Sequence, residues 1–357
     1  MPLDTKHFDS WLSHVPDAHG TTMAITGTTS GVGYWAAVFA IRKNVKALLL
    51  LNRDSKRAVD ARTQLEQEKA AAGSTTEIFS ISCDLKDVAS VKAAAAQVNA
   101  ICKDYGGLNV LANNAGFGPV ADTRSDAGYD IQMQVNFFSH YVLAQGLMPS
   151  FDLAIEQGGE VRICQQSSGI RYQSSKLMLE QKYFETSEPG TLGGSGVNGS
   201  MERYRQSKIA CVAFALKLNK MLAARGYDTT KIKSVAAEPG FAETNLVSNS
   251  VSGNTFFIGQ LSKVVIRVMA LFMKRQTAAD GSLPIVQASL GADVSSGDFY
   301  MPKDGNTGTP VTSIAGGVLD KGDAAQEQYG LQEAGQDLCW DMSEKAYGDF
   351  FEFSKMS

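Results

Sequence analysis

The chain reads as an α/β protein built on a doubly wound parallel sheet, and three observations predict it. Short apolar runs alternate with longer segments that end at glycines, as in Ala47 to Leu51 followed by the stretch closed by Gly73. Those runs are continuously apolar rather than alternating, as strands covered on both faces should be. The first run, Thr22 to Thr26, stops at a glycine-rich turn that opens a helix-like stretch. Strands alternating with helices give right-handed crossovers and a parallel sheet with helices on both faces.

The turn is Gly27-Thr28-Thr29-Ser30-Gly31-Val32-Gly33. Glycines there permit a tight bend and let backbone N–H groups approach a pyrophosphate at the positive end of the next helix. A plain strand-to-helix turn has the same composition. The spacing differs from GxGxxG, and no lysine follows to make a P-loop. The second strand ends in Asn52-Arg53. An acid at such an end would bind a ribose 2′-hydroxyl, whereas arginine accommodates a 2′-phosphate. Arg53 therefore points to NADP(H) ahead of NAD(H), the alternative being a solvated charge. Asp54 is expected to cap the helix starting near Ser55.

The order then repeats. A helix from about Ser55 to Ala72 leads to a strand from Glu77 to Cys83, with Asp84-Leu85 at its carboxyl end. A helix from about Lys86 to Tyr105 leads to a strand from Asn109 to Asn113, followed by Asn114-Ala115-Gly116. A helix is expected around Asp126 to Gln132. A long one runs from Gln134 to about Gln157, broken near Met148 by Pro149. Asn136 near its start suits a buried amide bond or chemistry equally, and His140 reads as structural. Strand five, Glu160 to Gln165, delivers Ser167-Ser168-Gly169 to the edge where the glycine turn lies. A hydroxyl there can donate to a substrate oxygen.

Tyr204-Arg205-Gln206-Ser207-Lys208 places a phenol and an ammonium on one helix face. Two charges about 5 Å apart at an effective dielectric of about 20 interact by roughly 3 kcal/mol, enough to lower a phenol by about two pH units. A tyrosine so tuned exchanges protons with a carbonyl or alcohol oxygen near neutral pH. The same spacing is common on solvated helices, so the upstream elements decide its reading.

These pieces together resemble the short-chain dehydrogenase/reductase family: TGTTSGVG at Thr26 to Gly33, NNAG at Asn113 to Gly116, Asn136, Ser167-Ser168, YRQSK at Tyr204 to Lys208, and Pro239-Gly240 with Thr244. They keep the family's order over roughly residues 20 to 300. The Cys-Asp-Leu at 83 to 85, the Asn-Arg at 52 and 53, and the long gap before Tyr204 look most like the retinol dehydrogenase and protochlorophyllide reductase branch. The resemblance implies a Rossmann-type sheet of about seven strands, and with no internal repeat and no second core the chain is expected to form a single domain, 1–357. Residues 1–20 form an N-terminal extension, and 245–357 a substrate-binding, C-terminal helical one.

It also implies roles. Tyr204 is the general acid/base and Lys208 its activator and a ligand of the nicotinamide ribose. Ser168 polarises the carbonyl, and Asn136 holds a water that links Lys208 to solvent. Gly27, Ser30, Gly31, Val32 and Gly33 wrap the phosphates, Arg53 takes the 2′-phosphate, and Asp84 and Leu85 the adenine. Asn114, Ala115 and Gly116 line the cofactor, with Pro239, Gly240 and Thr244 near the nicotinamide. The expected activity is NADP(H)-dependent interconversion of a carbonyl and an alcohol on a lipophilic small molecule. A non-catalytic subunit or binding module, or reduction of a carbon–carbon double bond, are the alternatives. No cysteine lies between Ser168 and Tyr204, where protochlorophyllide reductases as a family carry one, which puts light-driven chemistry in doubt.

The remaining features bound the reading. A net charge of −4 with dispersed Lys and Arg argues against nucleic acid. Five cysteines, far apart and without CxxC or Cys/His spacing, suit a reducing compartment and argue against a metal site. No signal peptide is visible, so an intracellular protein, cytoplasmic or peripherally membrane-associated, is expected. The loop from Pro189 to Ser200 reads as flexible, either a cover for the substrate mouth or an insertion. Phe256 to Met273 has helical apolar spacing with Lys263 and Arg267 off that face. It serves either as a helix packed over the site or as one that touches a membrane. A homodimer is left open. A last strand near Gly297 to Tyr300, a loop from Gly305 to Pro310 and a terminal helix from Gly335 to Gly348 complete the chain.

Overall fold

The computed structural model describes residues 4–174, 178–243, 275–312 and 332–355. Thr244 and the proposed helix from Phe256 to Met273 lie outside the described residues.

An eight-stranded sheet runs in the order β3-β2-β1-β4-β5-β6-β7-β8. Its strands are β1 Thr22–Thr26, β2 Ala47–Asn52, β3 Glu77–Ser82, β4 Val110–Asn113, β5 Val161–Gln166, β6 Ile232–Ala237, β7 Phe299–Pro302 and β8 Pro310–Thr312. All neighbours are parallel except β7 and β8. β8 falls at the end of the expected loop: a tight turn at Asp304–Gly308 returns the chain antiparallel, which needs no crossover helix. The strand order reverses between β1 and β4, so their carboxyl ends diverge and leave a crevice there.

Alternate residues of each buried strand feed two cores. Ala24, Leu49, Leu111 and Ile163 face one side; Met23, Ile25, Leu48 and Val110 face the other. The second side is covered by α2 (Gly31–Arg42) and, later in the chain, by Leu283–Leu290. The N-terminal helix α1 (Phe8–Trp11) docks here too. Phe8 packs edge-on against Trp35 and Phe39, and the Asp280 carboxylate accepts from the N–H groups of Lys6, His7 and Phe8. α3 (Lys56–Ala72) leans on α2, with Leu65 in the same core. Ser55, not Asp54, caps α3 by accepting from Ala58 N, while Asp54 accepts from Ser82 Oγ. The serine side chain reaches the third N–H directly, and the aspartate is drawn to the neighbouring strand end.

The first side carries α4 (Val88–Tyr105), capped by Asp87, then α5 (Ile131–Met133), α6 (Ser139–Gly146), α7 (Met148–Glu156) and α8 (Val197–Ala224). The expected helix at Asp126 to Gln132 is instead a turn that begins a helix only after Asp130, whose carboxylate accepts from Gln132 N and Met133 N. Gln134–Phe138 then form a π-helical turn before α6. The break expected near Met148 falls at Leu147, between α6 and α7, and Pro149 occupies the first turn of α7, where its missing N–H costs nothing. Among the described residues, two short helices follow β6, α9 (Ala278–Gly281) and α10 (Leu283–Leu290). α11 (Glu333–Tyr347) lies on α8, where Trp340 stacks near Phe214 and the tail adds Phe350 and Phe351.

α8 begins at Val197, so the last residues of the expected loop are helical. The rest of that loop is pinned. Arg203 donates to Leu192 O (2.9 Å), Gly194 O (2.8 Å) and Val120 O (2.8 Å), and Asp122 accepts from Leu192 N and Gly194 N. Glycines predicted freedom there, but buried charge removes it. The five cysteines are free and buried. No described helix is long and apolar enough to cross a membrane, and no metal-ligating cluster occurs among the described residues.

Candidate active site

The site forms at the carboxyl ends of β1, β4, β5 and β6. Gly27 and Gly31 adopt φ of +74° and +64°, the left-handed region that glycine enters without strain. Gly33 is required by space: a Cβ there would stand 2.3 Å from both Asn114 Nδ2 and Gly27 O. Asn114 Nδ2 donates to Thr26 O (2.9 Å), and Thr26 Oγ1 accepts from Asn114 N and Ala115 N, so the first and fourth strand ends are tied. Ser30, at the α2 N-cap, makes no capping bond, which leaves that N-terminus ready for an anion. Val32 is buried beneath it.

Arg53 is exposed on the rim of an open depression shared with Asp54, Ser55, Ser82 and Asp84. Two residues given no site role from the sequence lie against the glycine turn. Asn52 accepts from Thr28 N and donates to Thr28 Oγ1, both at 2.8 Å, holding the glycine turn from the side. Arg57 donates to Ser30 Oγ (3.1 Å). A helix starting beside Ser55 places Arg57 in its first turn next to the glycine turn, so the spacing alone would have found it. The Asp84 carboxylate accepts from Lys86 N in a local turn, and Leu85 is buried with its carbonyl held by Ser139 Oγ.

Ser168, Tyr204, Lys208 and Asn136 converge. Ser167 and Ser168 divide their labour: Ser167 Oγ donates to Lys208 O (2.8 Å), and Ser168's hydroxyl reaches the Tyr204 phenol. Lys208 Nζ donates to Gln166 O (2.9 Å) and lies 6.0 Å from the Tyr204 ring centroid. Asn136, in the π-helical turn, accepts from Phe117 N and donates to Phe117 O and Ser207 Oγ. A second lone pair on Oδ1 is there for a further donor. Gly116 faces both groups, since a Cβ on it would meet Asn136 Oδ1 at 2.9 Å and Lys208 Nζ at 3.4 Å. His140 is buried, bonded to Thr26 Oγ1 and Asn136 O, and burial pushes it down to about 3, so it stays neutral. Pro239 and Gly240 (φ +60°) are held by Gln276, which donates to Pro239 O (2.8 Å).

One expectation fails. Burial pushes the Tyr204 phenol up to about 12, and the Ser168 hydrogen bond only partly opposes it. Burial also lowers Lys208. The two side chains share a face, but both sit where water is excluded, and the penalty on each charged form outweighs their attraction.

A family model described as short chain dehydrogenase matches residues 21–178. An uncharacterized oxidoreductase of Schizosaccharomyces pombe is 31% identical over 260 residues, covering 72% of this chain and 70% of that protein. The chain belongs to the short-chain dehydrogenase family. Another relative in the family, named as a mitochondrial oxidoreductase of Neurospora crassa, is 31% identical over 242 residues, and the match covers 65% of this chain and 54% of that one. Mouse retinol dehydrogenase 14 is 30% identical over 232 residues, with 64% and 63% covered. The chain thus spans little more than half of the Neurospora protein's length. Among solved structures, an uncharacterized protein of Mycobacterium paratuberculosis superposes with a TM-score of 0.63 at 20% identity, over 97% of this chain and 98% of that one. At that identity the likeness is one of fold, and it covers nearly the whole chain.

Proposed function

We propose that this short-chain dehydrogenase interconverts a carbonyl and an alcohol on a lipophilic small molecule, using NADP(H). The observation that carries the reading is the meeting of Ser168, Tyr204 and Lys208 beside a glycine cradle that can seat a dinucleotide. The cradle fits such a cofactor: two glycines turn the chain, a third admits close approach, and the α2 N-terminus carries no side-chain cap. A nicotinamide bound there supplies or accepts the hydride. Arg53 would hold the 2′-phosphate, with Arg57 close enough to share it.

In reduction, the Tyr204 phenol gives its proton to the oxygen that becomes the alcohol. A phenol held near 12 keeps that proton across the neutral range, so the donor form is present, and it gives the proton up only to the more basic oxygen that forms as hydride arrives. The Ser168 hydroxyl donates to the same oxygen and stabilises the charge that develops on it. Lys208 orients the ribose and, with Asn136, returns a proton to Tyr204. The lipophilic substrate is supported by the apolar spacing of residues 256–273 and by the name of the mouse retinol dehydrogenase. Purified protein assayed with NADPH and NADH against retinoid, steroid and quinone carbonyls, and against small sugars, tests it. Turnover confined to small polar carbonyls would sink the substrate class, and no turnover with any carbonyl would sink the activity.

A further inference from the structure

The main-chain ladder between β5 and β6 ends where Ser167 N donates to Ala237 O (2.7 Å). Past that rung the two strand ends are joined by charge. Glu238 follows β6 immediately before Pro239-Gly240. Arg171 sits in the short 3₁₀ turn Gly169–Gln173 that follows Ser168. Their side chains, 1% and 4% exposed, form an ion pair through Glu238 Oε2 and Arg171 Nη1. The same Nη1 donates to Ser168 O (3.3 Å). The guanidinium carbon lies 4.1 Å from the centroid of the Tyr172 ring and 4.3 Å from that of Phe299. Gly169 makes the close approach feasible, since a Cβ there would press on Glu238 Oε1 at 3.3 Å. Glu238 N is itself fixed to Tyr300 O (2.9 Å).

A buried ion pair is weak evidence for stability, because well-packed apolar residues in its place are often as good or better. Its location suggests another use. Ser168 has an extended backbone, and its hydroxyl holds Ile170 N at only 3.4 Å, so little in its own turn fixes its aim. We propose that the Arg171–Glu238 pair is a positioning device: it anchors the Ser168 backbone to the end of β6, aims the Ser168 hydroxyl at Tyr204, and sets its spacing from the Pro239-Gly240 turn. The inference rests on the carbonyl/alcohol reading above. Neither residue touches the reacting oxygen; both act through Ser168 and the turn.

The test is a double-mutant cycle with Glu238→Gln, which keeps the shape and removes the charge, and Ser168→Ala. Glu238→Gln is expected to lower kcat about tenfold while NADPH affinity stays within about twofold, and in the Ser168→Ala background the same substitution should cost less than about twofold. Equal losses in both backgrounds overturn the proposal. Arg171→Lys, which keeps the charge but not the fork, provides the same cycle should Glu238→Gln fail to fold. A second readout does not need activity: the ¹³Cζ resonance of Tyr204, assigned with Tyr204→Phe, should move in the same direction in Ser168→Ala and Glu238→Gln. A resonance unmoved by Glu238→Gln overturns the positioning role even in a protein that reduces nothing. A resonance that moves, in a protein without turnover, upholds the positioning role and removes only the proposed activity.

Discussion

Replacing Arg203 with Met tests whether the loop before α8 is held by buried charge. Arg203 is fully buried, with Nε 3.1 Å from Asp130 Oδ2 and Nη1 3.5 Å from Asp122 Oδ2. Arg124 Nη1 completes the cluster at 2.6 Å from Asp122 Oδ1, and its Nη2 donates to Glu188 O. Two guanidinium groups thus balance two carboxylates. Methionine keeps most of the volume, so the change leaves one uncompensated carboxylate and three carbonyls short of a donor. Breaking a buried pair in this way costs about 3 to 5 kcal/mol, a large share of the roughly 5 to 15 kcal/mol that holds a folded domain together. Burial already raises Asp130 above the ordinary carboxylate range, and without Arg203 it should take up a proton more readily still. The folded variant then binds more protons than the unfolded chain, so its deficit shrinks as pH falls from neutral. Urea unfolding followed by tryptophan fluorescence measures the loss, and limited proteolysis reports release of residues 186–196. A loss below about 1 kcal/mol at pH 7 would refute the reasoning, because a buried carboxylate cannot stay ionised and unpaired at so small a cost.

Four other outcomes are expected. NADP(H) should bind more tightly than NAD(H) by about 1 to 3 kcal/mol, the scale of a charge-assisted hydrogen bond, and Arg53→Ala should erase most of the difference in a fluorescence titration. Tyr204→Phe should lower turnover about a hundredfold or more with cofactor affinity nearly intact, and unchanged turnover would falsify the proton-donor role. With the phenol held near 12, the rate of alcohol oxidation, which needs the phenolate, should climb about tenfold per pH unit through the alkaline range while carbonyl reduction stays flat; a plateau in oxidation near pH 8 contradicts this. His140 is held down to about 3 in the fold, so the unfolded chain binds the extra proton first. Stability should therefore fall as pH drops from about 6.5 toward 3, and thermal melts of His140→Asn compared with the parent should show a smaller acid-side slope.

Much of the scaffold was legible because its signals are local. β1, β2, α3, α4 and α11 lie within a few residues of their expected bounds, since continuous apolar runs, glycines past helix ends and a period near 3.6 are written in neighbouring residues. Helix and strand starts were less legible. Asp54 and Ser55 are equally good caps in sequence, and the choice went to the serine only because Ser82, on the adjacent strand, engages Asp54. The π-helical turn at Gln134–Phe138 was invisible, since no local rule distinguishes it from an ordinary helix. Arg57 was within reach of sequence reasoning; Ser207, Phe117 and the Arg171–Glu238 pair were not, because each is a contact between distant segments.

By itself the sequence determined the alternation of strands and helices from β1 to β5, the place of the glycine turn after β1, and the one-face placement of Tyr204 and Lys208, whereas β6 and β8 were not read from it. Those follow from residue spacing and backbone sterics, which need no knowledge of neighbours in space. Only the tertiary structure decided how the site is tuned. Spacing predicted a phenol lowered by its lysine, but burial raises Tyr204 and lowers Lys208, because the penalty for charge depends on how much water the whole fold excludes. Tertiary contact likewise chose between two adjacent serines, sending Ser167 to the Lys208 carbonyl and Ser168 to the phenol. It also turned a glycine-rich segment into a pinned loop through Arg203 and Asp122, since a chain's freedom is set by what its carbonyls and amides meet, and those partners lie 70 or more residues away for Asp122.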